Sequence, residues 1–396
     1  LYPPTDGPVP AAAIRSRGLV RALRELDCEV TVVCGMPRGR QPLLLRDVTT
    51  ISAPWLDLDS IAASISRDRG DPTAASIPGR SIATRMFPPD RYFTWIPGAA
   101  AIARRRLRER SIVLSTSAKS AHLVGRIVAG DRLWIADLND PWTGNPHAPA
   151  GAIRRRADRV LERAGLGRAT HITTVTEPLR AALAATYGET RVSTLMSGFY
   201  PSESPTAADP ASRDEAVVLY VGTLYEKLDL SPIFAGLAEA KRAGTVSPRR
   251  VRFHFVGRLN ERVLGESRRF GVEEFFTVGP TEPRPRVLEM MTTAGALLLP
   301  LYEDDPFSLP MKFFEYAGAR RPIVALGPPD RLGAQIVRDH GLGFVVSTSI
   351  EARALFEQMD RDPSVLVAPA QEATAEFTWA ATTERLGELL SRLQTP

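Results

Sequence analysis

The chain has 396 residues, 44% apolar, 24% charged and 7% aromatic, with a net charge of +5. This is the composition of a folded globular protein of two to three domains. It excludes a disordered chain and a small disulfide scaffold, and no apolar run approaches the roughly 18–20 residues of a membrane span.

Taken in chain order, Tyr2–Gly7 reads as a loop of the kind that follows a strand, which leads us to expect further residues upstream of Leu1. Residues 11–27 form a helix, with Ile14, Leu19, Leu23 and Leu26 near helical spacing. Glu29–Cys34 is a buried strand, Ser111–Ser115 another, and Ala121–Ala129 a small-residue helix. Leu133–Leu138 is a strand, Arg154–Leu166 a basic helix and His171–Val175 a strand. The run from Tyr200 to Ser212, rich in Pro, Ser and Ala, has little to bury and reads as a linker.

Beyond it the pattern restarts. Strands are expected at Ala216–Val221, Val251–Val256, Ala294–Leu299, Pro322–Leu326 and Gly343–Val346. Helices are expected at Ile233–Ala243, Leu309–Ala319 and Thr378–Leu393. Alternation on both sides of a linker predicts two α/β domains, each with a parallel sheet.

Charge is unevenly placed. Residues 1–200 hold 28 Lys+Arg against 18 Asp+Glu, and the remainder 22 against 27. Lysine occurs only at positions 119, 227, 241 and 312, and the other 46 basic residues are arginines. Ala101–Arg110 and Ile153–Arg163 are the densest basic runs. Each reads as a solvated helix face or as a surface for anionic lipid headgroups or a phosphorylated acceptor. Nucleic acid is not expected, because no nucleic-acid module or aromatic-studded basic groove is present. Cys28 and Cys34, the only cysteines, cannot build a disulfide framework or a cysteine zinc cage. With no charged-then-apolar leader visible, a cytoplasmic setting is expected, on the inner face of a membrane if the basic half binds lipid.

No glycine-rich dinucleotide fingerprint or P-loop is present. The acidic triplets Asp57-Leu-Asp59 and Glu303-Asp304-Asp305 read as ordinary loop acids, and no metal is expected. The richest segment is Pro306–Pro322. Ser308 suits an N-cap and Pro310 the first helical turn, so the free amides at that helix N-terminus form an anion site suited to phosphate. Lys312 adds a charge there. Glu315, one turn further on, can accept two hydrogen bonds from vicinal hydroxyls of a ribose. The bland reading is a surface Lys–Glu pair at i, i+3. A second loop, Tyr220–Lys227, leaves its strand through Gly222, and Lys227 can meet a phosphate.

These residues resemble a family-4-like glycosyltransferase of the GT-B fold. The likeness rests on Tyr2-Pro-Pro, Phe87-Pro-Pro-Asp90, Trp95-Ile-Pro97, Ala136-Asp-Leu-Asn-Asp-Pro-Trp142 and Thr173–Leu179. It continues through Gly222-Thr-Leu-Tyr225, Phe255-Val-Gly-Arg258, Pro310–Tyr316 and Phe377-Thr-Trp379. The resemblance implies two Rossmann-like domains facing a cleft, 1–203 for the acceptor and 204–374 for the nucleotide sugar, with 375–396 crossing back to the first. It implies transfer of a sugar from a UDP-, GDP- or dTDP-sugar to an acceptor hydroxyl, with retention and without a metal or other cofactor. The acceptor is a small molecule or a lipid-linked glycan.

By residue, the resemblance places Gly222, Thr223, Lys227, Arg258, Ser308, Leu309, Pro310, Met311, Lys312 and Glu315 on the donor. Candidates on the acceptor side are Asp6, Gly7, Asp137, whose other reading is to fix its loop, and Trp142, whose favoured reading is core; Asp140 and His122 are the catalytic candidates, although a lone histidine is more often structural. Three positions depart from the family pattern. Phe307 stands where many relatives carry a glutamate, Thr223 where they carry an arginine, and Ser197 where an Asn-Gly is usual. A 2-epimerase of the same fold and a non-catalytic sugar-nucleotide binder are the alternatives.

Overall fold

A computed structural model describes residues 11–37, 48–55, 89–90, 92–146, 151–203, 215–258 and 261–394. The chain divides into two compact units, Leu1–Met196 with Thr383–Pro396, and Ser197–Thr382. The division falls before the expected boundary at 203 because Phe199 bridges to Thr378. The Phe199 amide donates to Phe377 O at 3.0 Å, and Trp379 N donates to Phe199 O at 3.0 Å.

In the first unit, α1 (Ala11–Glu25) precedes the parallel pair β1 (Thr31–Pro37) and β2 (Thr49–Trp55). After α2 (Ile96–Arg106) comes β3 (Val113–Thr116), then α3 (Lys119–Val128), β4 (Trp134–Leu138) and α4 (Ala152–Leu166). The unit continues with β5 (His171–Thr174), α5 (Glu177–Tyr187) and β6 (Val192–Thr194). Strands β3, β4, β5 and β6 pair in that order, all parallel. Every residue of β4 is buried, as an inner strand covered on both faces requires. One core joins both sheets: Ala53, Ala99, Ala100, Val124 and Val128 are buried together, with Val33 and Val113 packed against them.

A buried ion pair fastens α1 to β4. Arg15 Nη2 lies 2.6 Å from Asp137 Oδ1 and Arg15 Nε 3.0 Å from Oδ2. Thr116 and Thr173 hydroxyls donate to the same carboxylate at 2.7 and 2.8 Å. Arg15 also donates to Leu195 O at 2.7 Å. The Pro89-Asp90 step of the sequence motif is structural as well. Asp90 Oδ2 accepts from Ser120 N at 2.8 Å and so serves the first turn of α3, while Pro89 O accepts from Arg154 at 2.7 Å.

In the second unit, β7 (Ala216–Val221), α6 (Ser231–Ala243), β8 (Val251–Val256), α7 (Glu261–Phe270) and β9 (Phe276–Gly279) form one half. The other half runs through α8 (Arg284–Thr293), β10 (Ala296–Pro300), α9 (Met311–Ala319), β11 (Ile323–Leu326), α10 (Leu332–Asp339), β12 (Gly343–Val346) and α11 (Ser349–Arg361). Helix α12 (Trp379–Gln394) starts in this unit, and from Thr383 onward it belongs to the first. The sheet is parallel in the order β12-β11-β10-β7-β8-β9. This is a doubly wound sheet whose order reverses between β7 and β10, and such sheets bind ligands outside the carboxyl ends of the strands at that reversal. Stacked Phe253 and Phe276, 5.2 Å apart, and edge-on Phe356 fill its core.

Burial opposes ionisation of Asp137, but the Arg15 charge and the hydrogen bonds from Arg15, Thr116 and Thr173 outweigh it and hold the carboxyl below its ordinary range. Its contribution is therefore complete above the unfolded value of about 3.9 and is lost as pH falls through the lower folded value. Asp137→Ala strands Arg15 in the interior, and we expect chemical denaturation at pH 7 to report a loss of about 3–5 kcal/mol.

Candidate functional site

The reversal between β7 and β10 gathers most of the donor-side residues at one sheet edge. Gly222 ends β7 with φ 121° and Gly257 ends β8 with φ 132°, both in the region that favours glycine. A Cβ on Gly257 would lie 2.4 Å from Gly222 O, and one on Gly222 would lie 3.2 Å from Lys312 Nζ. The missing side chains are what let the two loops and the lysine approach. Lys312 Nζ sits 3.9 Å above the ring of buried Tyr220. The Tyr220 hydroxyl donates to Thr223 O at 2.8 Å and fixes the loop beneath the lysine.

Lys312 has no hydrogen-bond acceptor among the described residues. Burial pushes its ammonium down to about 7, with the Glu315 carboxylate resisting the fall. A desolvated cation beside an open strand edge is poised for an anion.

The loop between β10 and α9 differs from expectation at its capping residues. Asp305 is buried, and its Oδ1 accepts from Phe307 N at 2.9 Å and Ser308 N at 3.1 Å. The Ser308 amide is thus already engaged, and Ser308 does not cap the helix. The cap position belongs to Pro310, with ψ 140°, and α9 starts at Met311. Proline lies one step before the first turn instead of within it. The amides of Leu309, Met311 and Lys312 make no hydrogen bond among the described residues, so three donors and the helix dipole remain for an anion.

Glu315 lies one turn into α9, and its Oε1 pairs with Arg284 at the start of α8. Arg284 also comes within 4.0 Å of Glu203. The second oxygen of Glu315 has no partner among the described residues. Lys227 is exposed and pairs with Asp304 at 3.0 Å, which ties the loop after β7 to the loop after β10. Arg258 is exposed at the end of β8, and its carbonyl accepts from Leu224 N at 3.1 Å. The acidic triplet Glu303–Asp305 is accordingly used in a salt bridge and a turn.

Arg284 escaped the sequence reading, since nothing in the local pattern links it to a carboxylate 31 positions away. Asp305 carried a weak signal, an aspartate three residues before Ser308 in a loop.

In the first unit three candidates take their structural readings. Asp137 is fully buried and its oxygens are taken by Arg15, Thr116 and Thr173, so it holds the fold and offers nothing to an acceptor. Trp142 is 3% exposed. It packs against His122 and the backbone of Gly165, where an added Cβ would lie 3.3 Å from the indole. It is core, not a sugar platform. His122 is 2% exposed, and its Nδ1 lies 2.9 Å from Ser115 Oγ, which also accepts from Trp134 Nε1. Burial lowers its pKa to about 4 against the opposing charge of Asp137, leaving a neutral structural imidazole. Asp140 lies beyond the end of β4 and is exposed. Asp6 and Gly7 lie outside the described residues.

No family model matches the sequence, and no curated protein matches it. Solved structures do. Sucrose-phosphate synthase (tll1590) from Thermosynechococcus elongatus aligns over 96% of this chain and 93% of its own at 17% identity and a TM-score of 0.66. WaaG, a glycosyltransferase involved in lipopolysaccharide biosynthesis, aligns over 100% and 99% at 13% identity and a TM-score of 0.63. Anabaena Alr3699/HepE, solved with UDP, aligns over 92% and 100% at 15% identity and a TM-score of 0.62. At these identities the likeness establishes the fold: two Rossmann-like units of the GT-B type. No helix among the described residues is long and apolar enough to cross a membrane.

The buried histidines predict acid sensitivity. His171 is also lowered to about 4, by burial and then by Arg392 and Arg191. Unfolded imidazoles protonate near 6.5, at about their ordinary value. The unfolded chain therefore binds more protons between about pH 6.5 and 4, and stability falls across that window on acidification. Thermal midpoints measured against pH should fall there, and the slope should be shallower in His122→Gln.

Proposed function

We propose that the protein is a glycosyltransferase that moves a sugar from a nucleotide diphosphate to an acceptor hydroxyl. One observation carries the reading. A lysine without an acceptor, Lys312, sits beside unbonded helix amides at the ligand-binding reversal of a doubly wound sheet, one turn from the Glu315 carboxylate. The amides of Leu309, Met311 and Lys312 and the Lys312 ammonium receive the diphosphate. They supply positive potential where charge builds on the leaving group as the glycosidic bond to phosphate breaks. Glu315 holds the ribose through its vicinal hydroxyls, with Arg284 keeping one carboxylate oxygen in place and leaving the other open.

Lys227, Thr223 and Arg258 border the same edge, and the exchangeable Lys227–Asp304 pair frees a second cation when a phosphate arrives. HepE was solved with UDP, which supports testing uridine diphosphate first. On the acceptor side, Asp140 is the remaining candidate to orient or deprotonate a hydroxyl, because it alone of the predicted carboxylates in the described first unit reaches solvent. The resemblance of the sequence motifs to family-4-like glycosyltransferases supports retention at the anomeric carbon as part of this proposal.

A thermal-shift panel of UDP, GDP, ADP and dTDP tests the binding step, since a ligand of the native state raises the midpoint by mass action. At least one nucleotide should raise it, and Glu315→Ala should abolish that response. No shift with any of the four removes the reading. Tight binding without release of free nucleotide from any sugar donor and acceptor leaves a binding protein and removes transfer.

The low pKa of Lys312 makes a second test. Below about pH 7 the ammonium is charged before the ligand arrives, and above it binding must take up a proton. Calorimetric affinity for the nucleotide diphosphate should weaken by up to about tenfold per pH unit above 7. Lys312→Arg, permanently charged, should flatten the profile, and Lys312→Met should lower affinity at every pH.

A further inference from the structure

Helix α4 presents an outer face that the donor chemistry does not use. Its two acids are turned inward. Asp158 is buried, with Arg154 Nε at 3.1 Å and Lys119 Nζ at 3.3 Å from its Oδ2. Glu162 is partly buried and accepts from the Tyr187 hydroxyl at 3.3 Å. What faces solvent is basic and apolar. Ile153 is 89% exposed and Val160 63%. Positions 153, 156, 160 and 163 recur at i, i+3, i+7 and i+10, one stripe of the helix. Arg156, Arg159, Val160 and Arg163 line a shallow open depression. Those three arginines have no ion pair among the described residues, and no exposed carboxylate on the helix balances them.

We infer that this face docks on an anionic phospholipid bilayer. The three guanidiniums surround a lipid phosphate in the depression, while Ile153 and Val160 enter the boundary between headgroups and acyl chains. Two observations select a bilayer over other polyanions. The aliphatic side chains stand in water on the same stripe as the arginines, and an interfacial helix combines those two features. The exposed face carries no aromatic residue on which a nucleic-acid base could stack. Arginine stems cover apolar surface while their heads stay among phosphates, so both groups are satisfied at one depth. This inference is independent of the donor reading, because α4 carries none of the residues assigned to the nucleotide.

The test is cosedimentation of the full chain with vesicles. Phosphatidylcholine containing phosphatidylglycerol should pull the protein down, pure phosphatidylcholine should not, and added salt should release it. Arg156→Glu with Arg159→Glu and Arg163→Glu should lower the partition coefficient on the order of a hundredfold. Ile153→Asp with Val160→Asp, which leaves the arginines intact, should lower it by about tenfold. All five positions are at the surface, and unchanged circular dichroism certifies the variants. As a separate readout, Ile153→Trp should shift its emission to shorter wavelength on anionic vesicles alone. Absence of binding to anionic vesicles overturns the inference, as does binding indifferent to the arginine reversals. Arginine-dependent binding that polyglutamate or RNA abolishes, and that the Ile153/Val160 variant retains, also overturns it and makes the face a site for an acidic macromolecule.

Discussion

The candidate site depends on an ammonium held largely out of water with no hydrogen-bond acceptor among the described residues. The chain has four lysines. Lys119 is paired with Asp158, Lys227 with Asp304 and Lys241 with Glu274. Lys312 has instead the face of Tyr220 and the bare backbone of Gly222. An aromatic face contributes about 0.5–2 kcal/mol to a cation, less than water would. The deficit is what depresses the pKa and what an anionic ligand can make good. Glycine at 222 is the condition for this, since any side chain there would meet the ammonium. Gly257 is the condition for Gly222, since its backbone lies against the same carbonyl.

The first unit applies the opposite solution to a buried charge. Asp137 has a bidentate arginine and two hydroxyls, so its charge is fully spent on the fold. Three residues on, Asp140 has left the strand and meets solvent. Two aspartates in one short motif thus divide into anchor and candidate reactant by where β4 ends.

That division shows what a sequence can and cannot convey. The long apolar strands β7, β8 and β10 were legible because glycine or proline closes each run and their burial is continuous. In the second unit, strand β9 and helices α7, α8, α10 and α11 went unread. β9 has four residues, and α7 buries only Val263 and Ser267 among mostly charged neighbours, too thin a stripe for periodicity to register. At the site, the spacing of Lys312 and Glu315 is local and was readable. The partners that decide their states are not local. Arg284 reaches Glu315 only because α8 and α9 flank β10, and Arg15 reaches Asp137 across 122 positions. Ser308 was misread for a local reason: both it and Asp305 suit a turn, and the charged acceptor takes the amides more strongly than a hydroxyl can.

The charge distribution takes on a different sense in this light. The candidate site lies in the half of the chain that carries more acids than bases, so net charge does not locate it. In the second unit a single desolvated ammonium and a few oriented amides act at short range in a low-dielectric setting, where each contributes far more than in water. In the first unit the arginines of α4 are exposed and act through the solvent, where screening limits each and number matters. Basic side chains thus mark the candidate site where they are sparse and half-buried, and a solvated helix face where they are dense. Composition reports the second arrangement and is blind to the first.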